Sequence, residues 1–314
     1  MGVTSVASWL SLGEGSTPLV PARRLSESLG CELHLKCEGL NPTGSFKDRG
    51  MVVAVERAVT AGAKAVVCAS TGNTAASAAA YAARAGVQAV VLTPAGATAG
   101  PKRAQVRAVG ARVIEVLGSF DDALRLCREL GERDGYVVVN SVNPDRIEGQ
   151  KSVVSELIEQ LGGAPDIVAL PFGGGGNVSA VAAGFTEAGL APRIVVGQAA
   201  DRTTTWASAI RIGEPAHAAN VAELVAAGRV EVATLSEDEL RVAWGRLATE
   251  EGAFCEPASA AGLAALELCD ESSLSGKVAV AILTGHGLKD AEAVAQAAEV
   301  VVEPTLDAVL EVLS

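Results

Sequence analysis

Four short segments of this sequence hold the residue types that chemistry needs. Lys47 lies in NPTGSFKDRG, where Pro42 and Gly44 mark a turn and the following GMVVAVERAV reads as a helix. A lysine at such a junction is either a solvated surface group or, beside a pocket, an amine able to form a Schiff base. Phe46 precedes it, and Asp48 and Arg49, both able to form ion pairs, follow. Ser70–Ser77 reads STGNTAAS, with hydroxyls and an amide at the start of an Ala-rich helical pattern. It is either a well-capped helix start or an anion site, since free N–H groups at a helix N-terminus attract negative charge.

Gly173–Gly176 is an unbroken GGGG between the apolar run DIVALP and a helical stretch opening near Asn177. Backbone N–H groups without side chains in the way can cradle a phosphate at the positive end of a helix dipole. The alternative is a tight turn, for which four glycines are needlessly costly in conformational entropy. The segment is neither a P-loop nor a dinucleotide fingerprint. Thr284–Gly287, TGHG, closes the apolar run KVAVAILT. His286 reads as pocket-lining or as a substrate contact. None of the three histidines (His34, His217, His286) has ligand spacing with cysteines or carboxylates, so no metal is expected. There is also no G-x-S-x-G elbow for a serine nucleophile.

These segments need elements to position them, and the pattern supplies strands alternating with helices. KAVVCAS starts at Lys64 and is followed by a helix to about Arg84. VQAVVLT starts at Val87, a helix follows Pro101, and a strand covers Arg112 to Val116. A helix follows Ser119, and YVVVN ends at Asn140. The alternation resumes with DIVALP at Asp166 and PRIVVGQ from Pro192. Ser236 and Glu239 form a capping-box signature, KVAVAILT runs from Lys277, and a last long helix is expected from about Leu288. Alternating strands and helices predict an α/β fold with open parallel sheets and right-handed crossovers. Two blocks emerge: a small domain over residues 50–144 and a large one over 1–49 and 145–314. Ligands of open α/β sheets bind beyond the carboxyl ends of the strands. Four segments fall there: Ser70–Ser77, Asn140–Arg146, Gly173–Asn177 and Thr284–Gly287.

Composition narrows the class. The 314 residues are 49% hydrophobic and 20% charged, enough apolar surface for a large core and too much for a disordered chain. A net charge of −12 argues against nucleic acid or anionic lipid as a partner, so positive charge for an anionic substrate must be placed locally. MGVTSVASWL lacks the basic region and long apolar stretch expected of a signal peptide, and no apolar run reaches the roughly 20 residues of a membrane span. A cytoplasmic protein is expected, with its six cysteines as buried free thiols, since none forms a C-x-x-C pair.

Taken in order, GSTPL, HLKCEGLNPTGSFKDRGM, CASTGNTAASAAAYAARAG, VNSVNPDRIEGQK, ATLSEDEL, EPASAAGLAAL and LTGHGLKD resemble the pyridoxal-phosphate enzymes of fold type II. Within them the chain resembles the threonine synthases, over nearly its whole length. The resemblance implies two open-sheet α/β domains with the active site in the cleft between them, and pyridoxal 5'-phosphate as cofactor. It implies Lys47 as the cofactor's Schiff-base lysine and catalytic base, with Phe46 beside the cofactor. Asn73 would contact the ring hydroxyl, Gly173, Gly174, Gly175, Gly176 and Asn177 would bind the cofactor phosphate, and Thr284 would face the ring nitrogen. Ser70, Thr74, Asn140, Ser141 and Arg146 would bind the substrate's own phosphate. The implied reaction converts O-phospho-L-homoserine and water into L-threonine and phosphate, in a homodimer. Alternatives are a threonine/serine dehydratase, a β- or γ-replacement enzyme of the same fold, and a non-catalytic cofactor- or phosphate-binding module. The chain departs from these relatives in two places. It has GGGGN where they usually read GNAGN, and its segment from Gln198 to Ser208 is shorter than theirs.

Overall fold

A computed structural model describes residues 8–96, 100–294 and 300–313. Its ten strands are β1 (Leu19–Pro21), β2 (Glu32–Cys37), β3 (Ala65–Ala69), β4 (Gln88–Pro94), β5 (Arg112–Val116), β6 (Tyr136–Val138), β7 (Ile167–Pro171), β8 (Arg193–Ala199), β9 (Val230–Leu235) and β10 (Val278–Leu283). They form two sheets. The four-stranded one has the order β5-β4-β3-β6, all parallel. The six-stranded one has the order β1-β2-β10-β7-β8-β9, parallel except that β1 runs antiparallel to β2. Both are the open parallel sheets that the alternation predicts.

The unbroken apolar runs have a packing reason. Every residue of β3 and of β7 is buried, as parallel strands covered by helices on both faces require. Helices of small residues cover them. In Asn73–Ala85, the STGNTAAS helix, five alanines and Tyr81 are buried in the core of the four-stranded sheet. Few aromatic residues are needed because alanine-rich helices approach the sheets closely. The expected helix after Ser119 carries a full capping box with Asp122, and Ser236 and Glu239 form another. All six cysteines are free thiols, four of them buried.

Three readings need correction. The long helix expected from Leu288 is instead a 3-10 stretch, Gly287–Ala293, broken at Asp290 (φ −139°). There His286 Nδ1 accepts the Leu288 N–H and Lys289 turns inward to donate to the Thr43 carbonyl, so the chain is held down rather than wound on. A separate short helix covers Leu306–Leu313. The strand before Asn140 ends at Val138, and the Asn140 side chain takes over the pairing: its amide both accepts from and donates to the backbone of Ala69. β1, β2 and β9 were not expected as strands: β1 is three residues long, β2, ELHLKC, interleaves polar residues with apolar ones, and β9, VEVATL, is a half-polar edge strand.

Candidate active site

The carboxyl ends of β3, β6, β7 and β10 bring together the four segments singled out in the sequence. Lys47 opens the helix Lys47–Thr60, and its bed is made by two distant loops. Ser45 bridges to Gly285, the Phe46 N–H donates to the Thr284 carbonyl at 3.0 Å, and the His286 N–H donates to the Gly44 carbonyl at 3.0 Å. Cys255 bridges to His286 in turn, and the Glu256 N–H donates to the Gly285 carbonyl at 2.9 Å. Segments 44–46, 284–287 and 254–256 therefore form one small irregular sheet under the lysine. Lys47 Nζ lies 4.2 Å from the centroid of the Phe46 ring. Loss of hydration pushes its amine down to about 7, with Arg146 adding to the effect and Glu256 opposing it. A lysine near neutrality is a usable nucleophile and base.

Asp48 and Arg49 do not pair with each other. Asp48 accepts from Thr43 and from Ser77 Oγ, which ties the lysine loop to the STGNTAAS helix. Arg49 faces the other way, to Glu38 and Glu156. The helix Lys47–Thr60 crosses the helix Pro144–Gln150 at backbone contact. A Cβ on Gly50 would stand 2.4 Å from the Arg146 carbonyl oxygen, and one on Gly149 would stand 2.1 Å from that of Arg49. This crossing brings Arg146 to the Lys47 end of the site.

Arg146 is fully buried. It donates once, from Nη1 to the Val139 carbonyl at 2.9 Å, while Nε and Nη2 have no protein partner. Burial pulls its guanidinium down to about 10. An arginine buried with two donors unspent is built to meet an anion bidentately. Asn73 Oδ1 and Asn177 Nδ2 are likewise buried without partners. Ser70 Oγ accepts the Gly72 N–H, and Thr74 stands in the first turn of the helix that follows. The Asn140 amide is taken up by Ala69, and Ser141 presents its carbonyl to His217 Nε2 at 2.8 Å.

The glycine loop runs from β7 into the helix Gly176–Glu187. Gly175 has φ +85°, a left-handed conformation that favours glycine, and a Cβ there would press on His217 at 3.0 Å. At Gly173 a Cβ would lie 3.2 Å from the Ala209 carbonyl oxygen. Gly174 differs: a Cβ there would make only ordinary contact with Ile212, at 3.6 Å. Thr284 Oγ1 lies 3.2 Å from Ser259 Oγ, which also accepts the Gly285 N–H. His286 serves as a helix cap, through its Nδ1.

Sequence reasoning missed five residues here. Arg202 lies in the shortened segment, donates to the Gly173 carbonyl and stacks its guanidinium on Phe172, so that segment braces the glycine loop. His217 joins the same loop to Ser141, since its N–H donates to the Gly174 carbonyl at 3.0 Å. Ser259 and Glu256 come from EPASAA, and Lys102 pairs with Glu256 at 2.8 Å. The unusual polar residues inside the apolar stretch around EPASAA were the available signal.

The unspent groups fit one ligand chemistry. Asn177 Nδ2 and the open glycine backbone at a helix N-terminus suit a phosphate, and Asn73 Oδ1 suits a hydroxyl near a lysine that attacks carbonyls. That is the donor set pyridoxal phosphate needs. Residues 10–285 match the family model described as pyridoxal-phosphate dependent enzyme. The chain belongs to that family. Among its relatives, threonine synthase of Halalkalibacterium halodurans is 43% identical over 92% of this chain and 86% of the relative. Threonine synthase of Mycobacterium leprae is 44% identical over 90% and 84%. Among solved structures, the threonine deaminase of T.th. aligns with TM-score 0.72 and 30% identity, over 86% of this chain and 92% of that one. Maize serine racemase aligns with TM-score 0.76 at 24% identity over 86% and 88%, a likeness of fold. The fold of this family member is thus shared with deaminases and racemases, while its sequence runs with the synthases.

Proposed function

We infer that this protein is a pyridoxal-phosphate-dependent threonine synthase that turns O-phospho-L-homoserine and water into L-threonine and phosphate. The observation that carries the reading is Arg146, buried beside Lys47 with Nε and Nη2 unspent after the cofactor's own phosphate has been given the glycine loop. A dehydratase acting on threonine or serine has no second phosphate to bind. The relatives named threonine synthase, matched over nine-tenths of the chain, support the same choice.

When bound, the cofactor supplies an electron sink for carbanions next to the amino group. The protein supplies the rest. Lys47 would hold the cofactor and, with its amine free, would take the Cα proton of the substrate; an amine brought down to about 7 suits both roles. The same amine then carries protons at Cβ and Cγ as phosphate leaves from Cγ and water adds at Cβ. Gly173 to Asn177 would hold the cofactor phosphate and Asn73 the ring hydroxyl, with Phe46 beside the cofactor. Thr284, whose hydroxyl lies 3.2 Å from that of Ser259, would offer the ring nitrogen a neutral partner. Arg146 takes the substrate phosphate, with Ser70, Thr74 and Ser141 as further donors. Asn140 contributes by fixing the end of β3, because its amide is held by Ala69.

We read residues 50–144 as the small domain and 1–49 with 145–314 as the large one. The four-stranded sheet lies wholly in the first and the six-stranded sheet in the second, although the helix Lys47–Thr60 runs through position 50. We also propose that the enzyme works in the cytoplasm as a homodimer on a small phosphorylated amino acid, without nucleic acid or membrane as partner. The charge of −12 disfavours nucleic acid and anionic lipid as partners, and among the described residues no helix is long and apolar enough to cross a membrane. The deciding experiment incubates the loaded enzyme with O-phospho-L-homoserine and measures phosphate, threonine and 2-oxobutyrate together. Phosphate and threonine in equal amounts are expected; 2-oxobutyrate as the main product would overturn the reading.

A further inference from the structure

The glycine loop and the segment after β6 follow strands of different sheets, and one side chain joins them. Gly173 to Gly176 carry no side chain, so the loop has nothing of its own with which to reach Ser141. His217 supplies the link from outside. It immediately precedes the helix Ala218–Ala226, and its N–H donates to the Gly174 carbonyl at 3.0 Å. Its Cβ lies 3.0 Å from where a Cβ on Gly175 would stand, and its Cδ2 and Nε2 lie 3.6 Å from where one on Gly176 would stand. Nε2 then meets the Ser141 carbonyl at 2.8 Å. A carbonyl only accepts, so Nε2 carries the proton and the imidazole is the donor.

The two ends of this link differ in firmness. On the His217 side, Val221 is buried in the core of the six-stranded sheet. Asn220 Oδ1 accepts at 2.7 Å from Ser179 Oγ, on the helix that the glycine loop opens. On the other side, Asn140 is held by Ala69, and Asn143 Nδ2 donates to the Val138 carbonyl at 3.0 Å. Between those two asparagines Ser141 and Val142 form a turn, with Val142 exposed. The bond from His217 ties that turn to the large block. Two phosphates of like charge in one cleft repel each other, the more so where water is excluded, so the protein must fix their separation. We propose that His217 is a positioning residue that sets the spacing between the two phosphate sites, pinning the Ser141 turn to the glycine loop so that it stands ready for the substrate's phosphate. This rests on the reading of Ser141 and Arg146 as contacts of that phosphate. Preference for a phosphorylated substrate then depends on a side chain whose Nε2–H is spent on the protein itself.

The test uses calorimetry on the cofactor-loaded proteins to measure binding of inorganic phosphate and of L-threonine. Cofactor affinity and the KM and kcat for O-phospho-L-homoserine are measured alongside. The cofactor fills the glycine loop, so added phosphate reads the second site. His217→Ala should weaken phosphate binding and raise KM about threefold to tenfold, the equivalent of one neutral hydrogen bond. Its kcat, L-threonine binding and cofactor affinity should stay close to those of the wild type. Glutamine places an amide N–H close to where the Nε2–H stood, so His217→Gln should recover most of the loss. Equal weakening of phosphate, L-threonine and cofactor binding would make His217 a general structural residue and overturns the proposal. So does unchanged phosphate binding in His217→Ala, or a His217→Gln variant no better than His217→Ala. Should the alanine variant fail to fold, His217→Leu takes its place, keeping bulk against Gly175 and Gly176 without a donor; unchanged phosphate binding in it counts equally against the proposal. Arg146→Met is the control for the site. If it binds phosphate as well as the wild type, the reading of a second phosphate site falls and this inference with it. If it loses phosphate while the His217 variants keep it, this inference alone falls.

Discussion

Arg49 and Arg146 are both buried, and they flank the same helix crossing, yet they live in opposite electrostatic worlds. Arg49 is saturated: Nε and Nη2 grip the Glu38 carboxylate, while Nη1 and Nη2 hold Glu156, with Ser152 and Thr17 as further partners. Lys36 and Gln160 complete the cluster around Glu156 and Thr17. Burial works against the Arg49 charge, but Glu38 and Glu156 more than offset it and hold the proton on more tightly than usual. Arg146 has one protein partner and a guanidinium pulled down to about 10 by burial. A buried charge with all its hydrogen bonds made is architecture, whereas one left short is held ready for something that arrives.

Breaking either side separates the two roles. The largest effect is expected at the amine that both helices frame: Lys47→Ala should lose turnover altogether and the visible absorbance of bound cofactor with it. Borohydride labelling that maps to Lys36 or Lys102 in the wild type would refute this placement. Next comes Arg49→Ala, which strands Glu38 and Glu156 without their cation and should destabilise the fold by about 3–5 kcal/mol. Urea unfolding is the measurement; a change below about 1 kcal/mol would show the cluster to be ornamental. Arg146→Met should do the reverse. Removing an under-partnered buried charge should leave stability level or raised. kcat/KM for O-phospho-L-homoserine should fall about tenfold to a hundredfold, the loss of one charged hydrogen-bonding contact. Equal losses on phosphorylated and unphosphorylated amino acids would instead class Arg146 with Arg49.

The crossing itself lay hidden in the sequence. Lys47, Asn73, the glycine loop and Thr284 stood out because glycine, hydroxyl and amide residues interrupt apolar runs at strand ends, where the fold class already places ligands. Gly50 and Gly149 did not stand out, since a helical glycine looks like weak propensity until the facing backbone is known to be 2.1–2.4 Å from its missing Cβ. The saturation of Arg49 was equally illegible: its partners Glu38 and Glu156 are 11 and 107 positions away. Local pattern carries the parallel sheets well because burial on both faces shows as continuous apolar runs. It fails where a single side chain replaces a strand residue, as Asn140 does for β6, or where one lysine turns inward, as Lys289 does.

Two smaller effects sharpen the contrast. Burial holds the Lys47 amine near 7, so it is neutral and nucleophilic above that pH and protonated below it. The rate at which cofactor-free enzyme takes up pyridoxal phosphate should rise with pH and level off above about 7. A rise continuing toward pH 10 would mean the amine is hydrated like an ordinary lysine. At Gly174 the open space and ordinary backbone admit a side chain. Gly174→Asn should keep cofactor affinity and raise kcat/KM for O-phospho-L-homoserine relative to other γ-substituted substrates, up to about tenfold if the amide reaches the phosphate. No change, or a drop, in that ratio in a folded, loaded variant would show the glycine to be neutral or already compensated.

The bridge between Ser45 and Gly285 has a consequence for the order of events at the ribosome. Its partners are separated by 240 positions, so most of the polypeptide must be made before the reactive amine has a bed to lie in. The four strands around β3 are all encoded before position 140 and can pair while the remainder is still being translated. The nascent chain therefore carries a finished small sheet beside an unsupported Lys47, and competence to capture an aldehyde arrives only when the segment around Thr284 emerges and docks. Long-range closure of this kind is slow relative to local pairing. Here the long-range step is the one that arms the site.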